Sequence, residues 1–174
     1  MIYWAPFLHF YQPPIQFHAV LKKICDESYR PLLKVLLGQP ASKVTINING
    51  VLTELLNDHG AVDVLEGFQK LAYNGQLEFV ESAKFHAILP LLPQKEMYRQ
   101  IKLNRQTNEY FFKDAYKPRG FFPPEMCYSN EAAKVIADMG YEWILISGIA
   151  CRDEWPLEYI SRVSFDSSSV NIFF

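Results

Sequence analysis

The chain has 174 residues, of which 49% are apolar and 21% charged, which suits one domain with a sizeable core and excludes a disordered segment. Its net charge of −2, with no basic run, excludes the electrostatic footprint of a nucleic-acid binder. No apolar run reaches the roughly 18 residues of a membrane span, and the opening "MIYWAPFLHFYQPP" lacks the charged and apolar regions of a signal peptide, so a cytoplasmic protein is expected.

In chain order, the apolar residues 2–10 predict a buried strand, and residues 29–37 a helix. Residues 43–50, "KVTINING", read as a β-branched strand with Asn alternating inside it and Gly50 at its end. Helical spacing of apolar residues follows at 51–57 and 61–73, and the Asn74-Gly75 turn opens a third strand over 76–82. A long helix is predicted over 94–112, a strand over 119–124, a helix over 130–138 capped by Ser129 or Asn130, and a strand over 141–147. Strand alternating with helix is the signature of parallel βαβ units. Five strands are fewer than a barrel needs, and the tail "SRVSFDSSSVNIFF" ends on an apolar pair as a cut strand would, so the natural chain is expected to continue past Phe174.

Cys25, Cys127 and Cys151 lie far apart with no CxxC or Cys/His cluster, so neither a disulfide framework nor a structural zinc site is indicated. Aromatic residues make up 15% of the chain, and such side chains fill cores or line clefts that stack on ring-shaped ligands. There is no GxSxG, GxGxxG or Walker loop to point to a serine nucleophile or a nucleotide cofactor. Polar residues instead gather at the ends of the predicted strands: His9, Tyr11 and Gln12, then Asn47 and Asn49, Glu78 and Glu81, Glu125, and Ser147. In parallel α/β folds the ligand site lies at that face.

Glu125 is the sharpest candidate, because Pro123 and Pro124 stiffen the backbone that presents it. A rigid strand end can aim a nucleophile or general acid, although a loop carboxylate can equally serve solvation or the following helix dipole. Glu78, between apolar residues, needs either a polar cleft or a partner such as Lys84. His9 can be a hydrogen-bond partner, a metal ligand or a core residue, and no HxH or HxD pair supports the metal. His86 follows the third strand and can reach the same cleft or be structural, while His18 and His59 read as surface residues.

Four segments, "HFYQPP", "GQLEFVESAKFHAILPLLP", "PRGFFPPEMCYS" and "MGYEWILIS", resemble in order and spacing the first part of the glycoside hydrolase family 57 catalytic domain. The resemblance spans essentially the whole of residues 1–174 and implies an α/β fold, an incomplete (β/α)7 TIM-like barrel of which this chain holds the first five or so βα units. It implies a retaining hydrolase or glucanotransferase acting on α-glucans, with no metal or other cofactor for the chemistry. By the same resemblance Glu125 falls on the nucleophile, and His9 and Gln12 on the first motif that lines the sugar site. Tyr11, in that motif, and Asn49, at a strand end, complete the sugar-contacting set with Glu78 on the second motif, His86 just after it, and Phe122 beside the nucleophile.

Three features depart from the family pattern. Tyr11 stands where the motif HxHQP has its second histidine, and Phe122 where a tryptophan is common. The family's general acid is an aspartate in a later motif, and neither Asp153 nor Asp166 matches its context. Two other readings stay open: a non-catalytic carbohydrate-binding remnant, and a metal-dependent polysaccharide deacetylase, which would need an Asp and two His as ligands.

Overall fold

Each strand sends its apolar half toward helices and its other half away from them. In β1 (Phe7–Phe10), β2 (Val44–Ile48) and β3 (Leu77–Val80), the buried Phe10, Val44, Ile46, Ile48, Leu77 and Phe79 join one core. Side chains alternate along a strand, so the opposite face receives Phe7 and His9, Thr45 and Asn47, and Glu78 and Val80, which also stand side by side in register. The computed structural model describes residues 4–150 and 159–174; Ile2 of the expected first strand, Cys151 and Asp153 lie outside the described residues.

β1, β2 and β3 pair in parallel in that order. β4 (Gly120–Phe121), β5 (Trp143–Leu145) and β7 (Ser169–Phe173) are also mutually parallel, and β6 (Ser161–Ser164) runs antiparallel along the outer edge of β7. Among the described residues one bridge joins the two sheets: Glu81 N–H donates to the Gly120 carbonyl at 2.9 Å, and Phe122 N–H to the Glu81 carbonyl at 2.8 Å. Parallel strands therefore follow chain order from β1 to β5, as the βαβ reading predicts. Ala5, Phe7 and Thr45 at one end line a cavity of about 230 Å³ together with Trp143, Leu145 and Phe173 at the other, so the sheet curls around its inner face.

The helices are α1 (His18–Ile24), α2 (Arg30–Leu37), α3 (Gly50–Asp58), α4 (Val62–Tyr73), α5 (Gln94–Phe112) and α6 (Asn130–Asp138). α5 and α6 coincide with the sequence prediction, and the Ser129 hydroxyl accepts the Ala132 N–H at 3.1 Å as the N-cap of α6. The expected helix at 29–37 is longer than predicted. It continues α1 through a π-helical turn (Cys25–Tyr29), after which Pro31, which has no N–H, sits in the first turn of α2. The tail forms a hairpin, closed by Phe165 N–H to the Ser168 carbonyl at 2.8 Å. Its first strand, "SRVS", is too polar to show an apolar alternation.

α5 spans both halves. Phe112 enters the core behind β1–β3, while Met97 and Ile101 enter the core of β4, β5, β7 and α6. Between them, buried Asn108 donates to the Ile48 carbonyl at 3.0 Å, and buried Asn104 accepts the Gly50 N–H at 2.6 Å. Asn104 also donates to Glu81 Oε1 at 2.5 Å. Glu81 is wholly buried, and its carboxylate accepts further bonds from Tyr116 at 2.9 Å and Tyr141 at 3.0 Å, with Arg105 Nε at 3.6 Å. Burial pushes this carboxyl's pKa up, and the donors from Asn104, Ser82, Tyr116 and Tyr141 draw it back.

Glu81→Leu leaves these buried donors unpaired and is expected to cost about 3–5 kcal/mol, read from urea unfolding, whereas Glu81→Gln keeps the shape and costs less. Gly120 lies under the Trp143 indole, where a Cβ would stand 2.1 Å from two of its ring atoms. Gly120→Ala is therefore expected to displace Trp143 and lower stability by about 1–3 kcal/mol in the same measurement.

Candidate active site

Strand alternation places His9 on the inner face of β1, exposed at the strand's C-terminal end. Across the pairing, Asn47 of β2 accepts from His9 Nδ1 at 2.8 Å and donates its own amide to the Val80 carbonyl of β3 at 3.1 Å. His86, from the loop after β3, meets His9 through the two Nε2 atoms at 3.1 Å. Its other nitrogen, Nδ1, lies 3.7 Å from Glu125 Oε1. The Tyr11 ring stacks on the His86 ring with centroids 4.3 Å apart. Four of the residues singled out in the sequence thus meet at one end of the sheet: His9, Tyr11, His86 and Glu125.

The backbone there is unusual. His86, Glu125 and Met126 have φ of 55°, 56° and 52°, the left-handed region that non-glycine residues avoid. Each such residue costs on the order of 1–3 kcal/mol and persists only where the surroundings hold it. Around Glu125 they do. Met126 N–H donates to the Pro123 carbonyl at 2.8 Å, the Ser82 hydroxyl to the Phe122 carbonyl at 2.8 Å, and Ser147 N–H to the Met126 carbonyl at 3.2 Å. The turn is therefore pinned from the end of β3 on one side and the end of β5 on the other. The Glu125 side chain is 66% exposed and that of His86 10%, so the carboxylate faces solvent while the imidazole beside it is packed.

Electrostatics follow from this packing. Burial lowers the pKa of His9, partly offset by its bond to Asn47 and by the Glu125 carboxylate. Burial and the neighbouring His9 lower that of His86, and Glu125 opposes them. Both rings are thus held toward the neutral form.

Of the remaining candidates Phe122 packs against this group, its ring centroid 4.9 Å from that of His9, and the others lie apart. Gln12 donates to Tyr29 and accepts from Gln16, away from the imidazoles. Asn49 is wholly buried; its amide donates to the Ala83 carbonyl at 2.5 Å and so ties the end of β2 to the loop carrying His86, while its Oδ1 has no partner among the described residues. Phe122 is only 7% exposed, its ring packed against Phe7 and His9. Glu78 is exposed one layer below His9, in a cleft with Trp4, Lys43 and Gln76 at the N-terminal strand ends, and Lys84 pairs with Glu54 rather than with it. In sequence Asn47 and Glu81 read only as polar residues at strand ends; the signal for Asn47 is an Asn alternating within a β-branched strand, and Glu81 looks like one more strand-end carboxylate.

Among the described residues no group of three His, Cys, Asp or Glu side chains is placed to hold a metal ion, and no helix is long and apolar enough to cross a membrane.

Comparison with known proteins matches these features to a group. An α-amylase of Pyrococcus horikoshii is 29% identical over 139 residues, which is 80% of this chain and 21% of the amylase. The chain thus spans about a fifth of that relative's length. The crystal structure of 4-α-glucanotransferase from Thermococcus litoralis superposes with a TM-score of 0.86 at 22% identity, over 97% of this chain and 27% of that one. A putative polysaccharide deacetylase from Mycobacterium smegmatis shares the fold at a TM-score of 0.64 and 13% identity, over 97% of this chain and 56% of that one. The family model described as glycosyl hydrolase family 57 matches residues 5–174, and with the α/β fold it shares with that glucanotransferase, the chain belongs to this family.

Proposed function

We propose that this chain supplies the nucleophile half of a retaining α-glucan hydrolase or glucanotransferase, within the first part of an incomplete (β/α)7 barrel. The observation that carries the reading is Glu125, an exposed carboxylate on a strained turn pinned between two strand ends, facing two imidazoles. In double displacement one Glu125 oxygen attacks the anomeric carbon as the glycosidic C–O bond breaks, and the leaving oxygen takes a proton from an acid. Water or an acceptor hydroxyl, giving its proton to the conjugate base of that acid, then attacks the glycosyl ester, and Glu125 departs as a carboxylate. The acid must stand about 5–5.5 Å from Glu125 and comes, in this reading, from outside the 174 residues. Tyr11 offers a polar contact to the sugar at the mouth, where His9, with both ring nitrogens bonded to Asn47 and His86, presents its ring.

The α-glucan class is supported by the named activities of the relatives, an amylase and a glucanotransferase. The likeness to the deacetylase is one of fold only.

The test is fluoride release from α-maltosyl fluoride, whose leaving group needs little protonation. Release by the wild type is expected to fall at least about 10³-fold in Glu125→Ala, with circular dichroism confirming that both are folded. Unchanged release in the variant would overturn the assignment. Maltooligosaccharide binding without turnover, indifferent to Glu125→Ala, would favour a non-catalytic binding role.

A further inference from the structure

We propose that His86 is the positioning residue of Glu125, and that a hydrogen-bonded chain from Val80 through Asn47 and His9 makes the atom facing Glu125 a proton donor or an acceptor according to whether the two imidazoles together hold an extra proton.

The direction of the chain is forced at its start. The Val80 carbonyl can only accept, so the Asn47 amide nitrogen faces it at 3.1 Å. Asn47 therefore turns its oxygen to His9 Nδ1 at 2.8 Å, and His9 Nδ1 must carry a hydrogen. With both rings neutral, His9 Nε2 is then a lone pair, and His86 Nε2, at 3.1 Å from it, must be the donor. That leaves His86 Nδ1 as a lone pair facing the Glu125 carboxylate, an arrangement with no bond between them.

One added proton changes this wherever it enters. On His86 it occupies Nδ1 directly. On His9 it occupies Nε2, so His86 Nε2 must become the acceptor and its hydrogen moves to Nδ1. Either way an N–H now faces Glu125 Oε1 across 3.7 Å, a gap that the exposed carboxylate closes by rotation. Two added protons would set two N–H groups against each other at 3.1 Å, so the pair takes up one.

The groups packed on His86 are His9 from β1, Tyr11 from the segment after it and Glu125 from the turn after β4. Of these Glu125 favours the added proton, while burial and the mutual repulsion of the rings oppose it, so uptake falls below the usual range near pH 6.5. Taking Glu125 as the nucleophile, on which the functional half of this inference rests, the Nδ1–H fixes one carboxylate oxygen and leaves the other for the anomeric carbon. It also stabilises the carboxylate that departs when the glycosyl ester breaks.

The chain is tested by nitrogen-15 NMR of labelled histidines in the 174-residue protein. At pH 8 His9 is expected as the Nδ1–H tautomer and His86 as the Nε2–H tautomer. The His86 midpoint is expected to fall by about 0.5–1 pH unit in Glu125→Gln. An Nε2–H tautomer at His9, or a His86 midpoint indifferent to Glu125→Gln, would overturn the proposal whether or not the protein turns over sugars. In the active enzyme His86→Gln, a donor at every pH, is expected to keep kcat within about tenfold and to lose the pH limb of the imidazole pair. His86→Ala is expected to lower kcat by about 10–100-fold with KM little changed. Equal losses in both variants with the pH limb intact would mean that His86 serves structure alone.

Discussion

A carboxylate deprived of water must be surrounded by donors, and meeting that demand at Glu81 organises the middle of this protein. Its donors come from three separate stretches: Asn104 and Arg105 on α5, Tyr116 after α5, and Tyr141 just before β5. None of these side chains is a sequence neighbour of Glu81; the adjacent Ser82 contributes only its backbone N–H, 3.2 Å from Oε1. The same residue's backbone makes the bridge between the β1–β3 sheet and the β4–β7 sheet. Side chain and main chain therefore fix one point twice, once by charge and once by strand pairing. Phe122, Pro123 and Pro124 leave that point directly and end at Glu125, so the position of the exposed carboxylate is inherited from the buried one.

What lies beyond the seam is held by many small constraints. Three left-handed residues in so short a space would relax unless the carbonyls around them were occupied. Ser82 and Ser147 supply that restraint at the Glu125 turn, and Asn49 does so at the His86 loop by binding the Ala83 carbonyl, which also accepts the His86 N–H at 3.1 Å. Asn49 thus bears on the mouth without reaching it. A side chain wholly buried beneath the loop shapes the site through the backbone.

The fold was legible wherever pattern and period agreed. The alternating Asn of "KVTINING" faced the strand inward, and the long amphipathic stretch at 94–112 fixed α5 to its ends. The π turn at Cys25–Tyr29 was hidden because no residue type specifies it; only Pro31 marks the place, and a proline reads equally well as a helix start. The β6–β7 hairpin was hidden because "SRVS" lacks an apolar alternation and gains its place by pairing with β7. At the site, the rigid glutamate after two prolines was readable from local chemistry. That His86 can reach the cleft of His9 was readable from its place after the third strand, but their direct contact was not, since 77 residues separate them and it depends on the turn of the His86 loop. Glu78, a strand-end carboxylate by sequence, lies one pleat before the level of His9, and that register is not readable from the strand alone.

The Tyr11 ring has a definite place in this geometry, stacked on the His86 ring with centroids 4.3 Å apart. The motif HxHQP calls for two imidazoles from one strand end, and this chain offers a phenol in place of the second. Yet two imidazoles are present, because His86 arrives from the next loop but one and lays its ring on Tyr11. A flat, uncharged ring at position 11 gives His86 a face to pack on without adding charge to the two histidines it must already share space with. A third imidazole there would have added repulsion to a pair that is already crowded. Tyr11 thus packs on His86 without adding a third imidazole, and the mouth holds one imidazole from the end of β1 and one from the loop after β3, the second standing against Glu125.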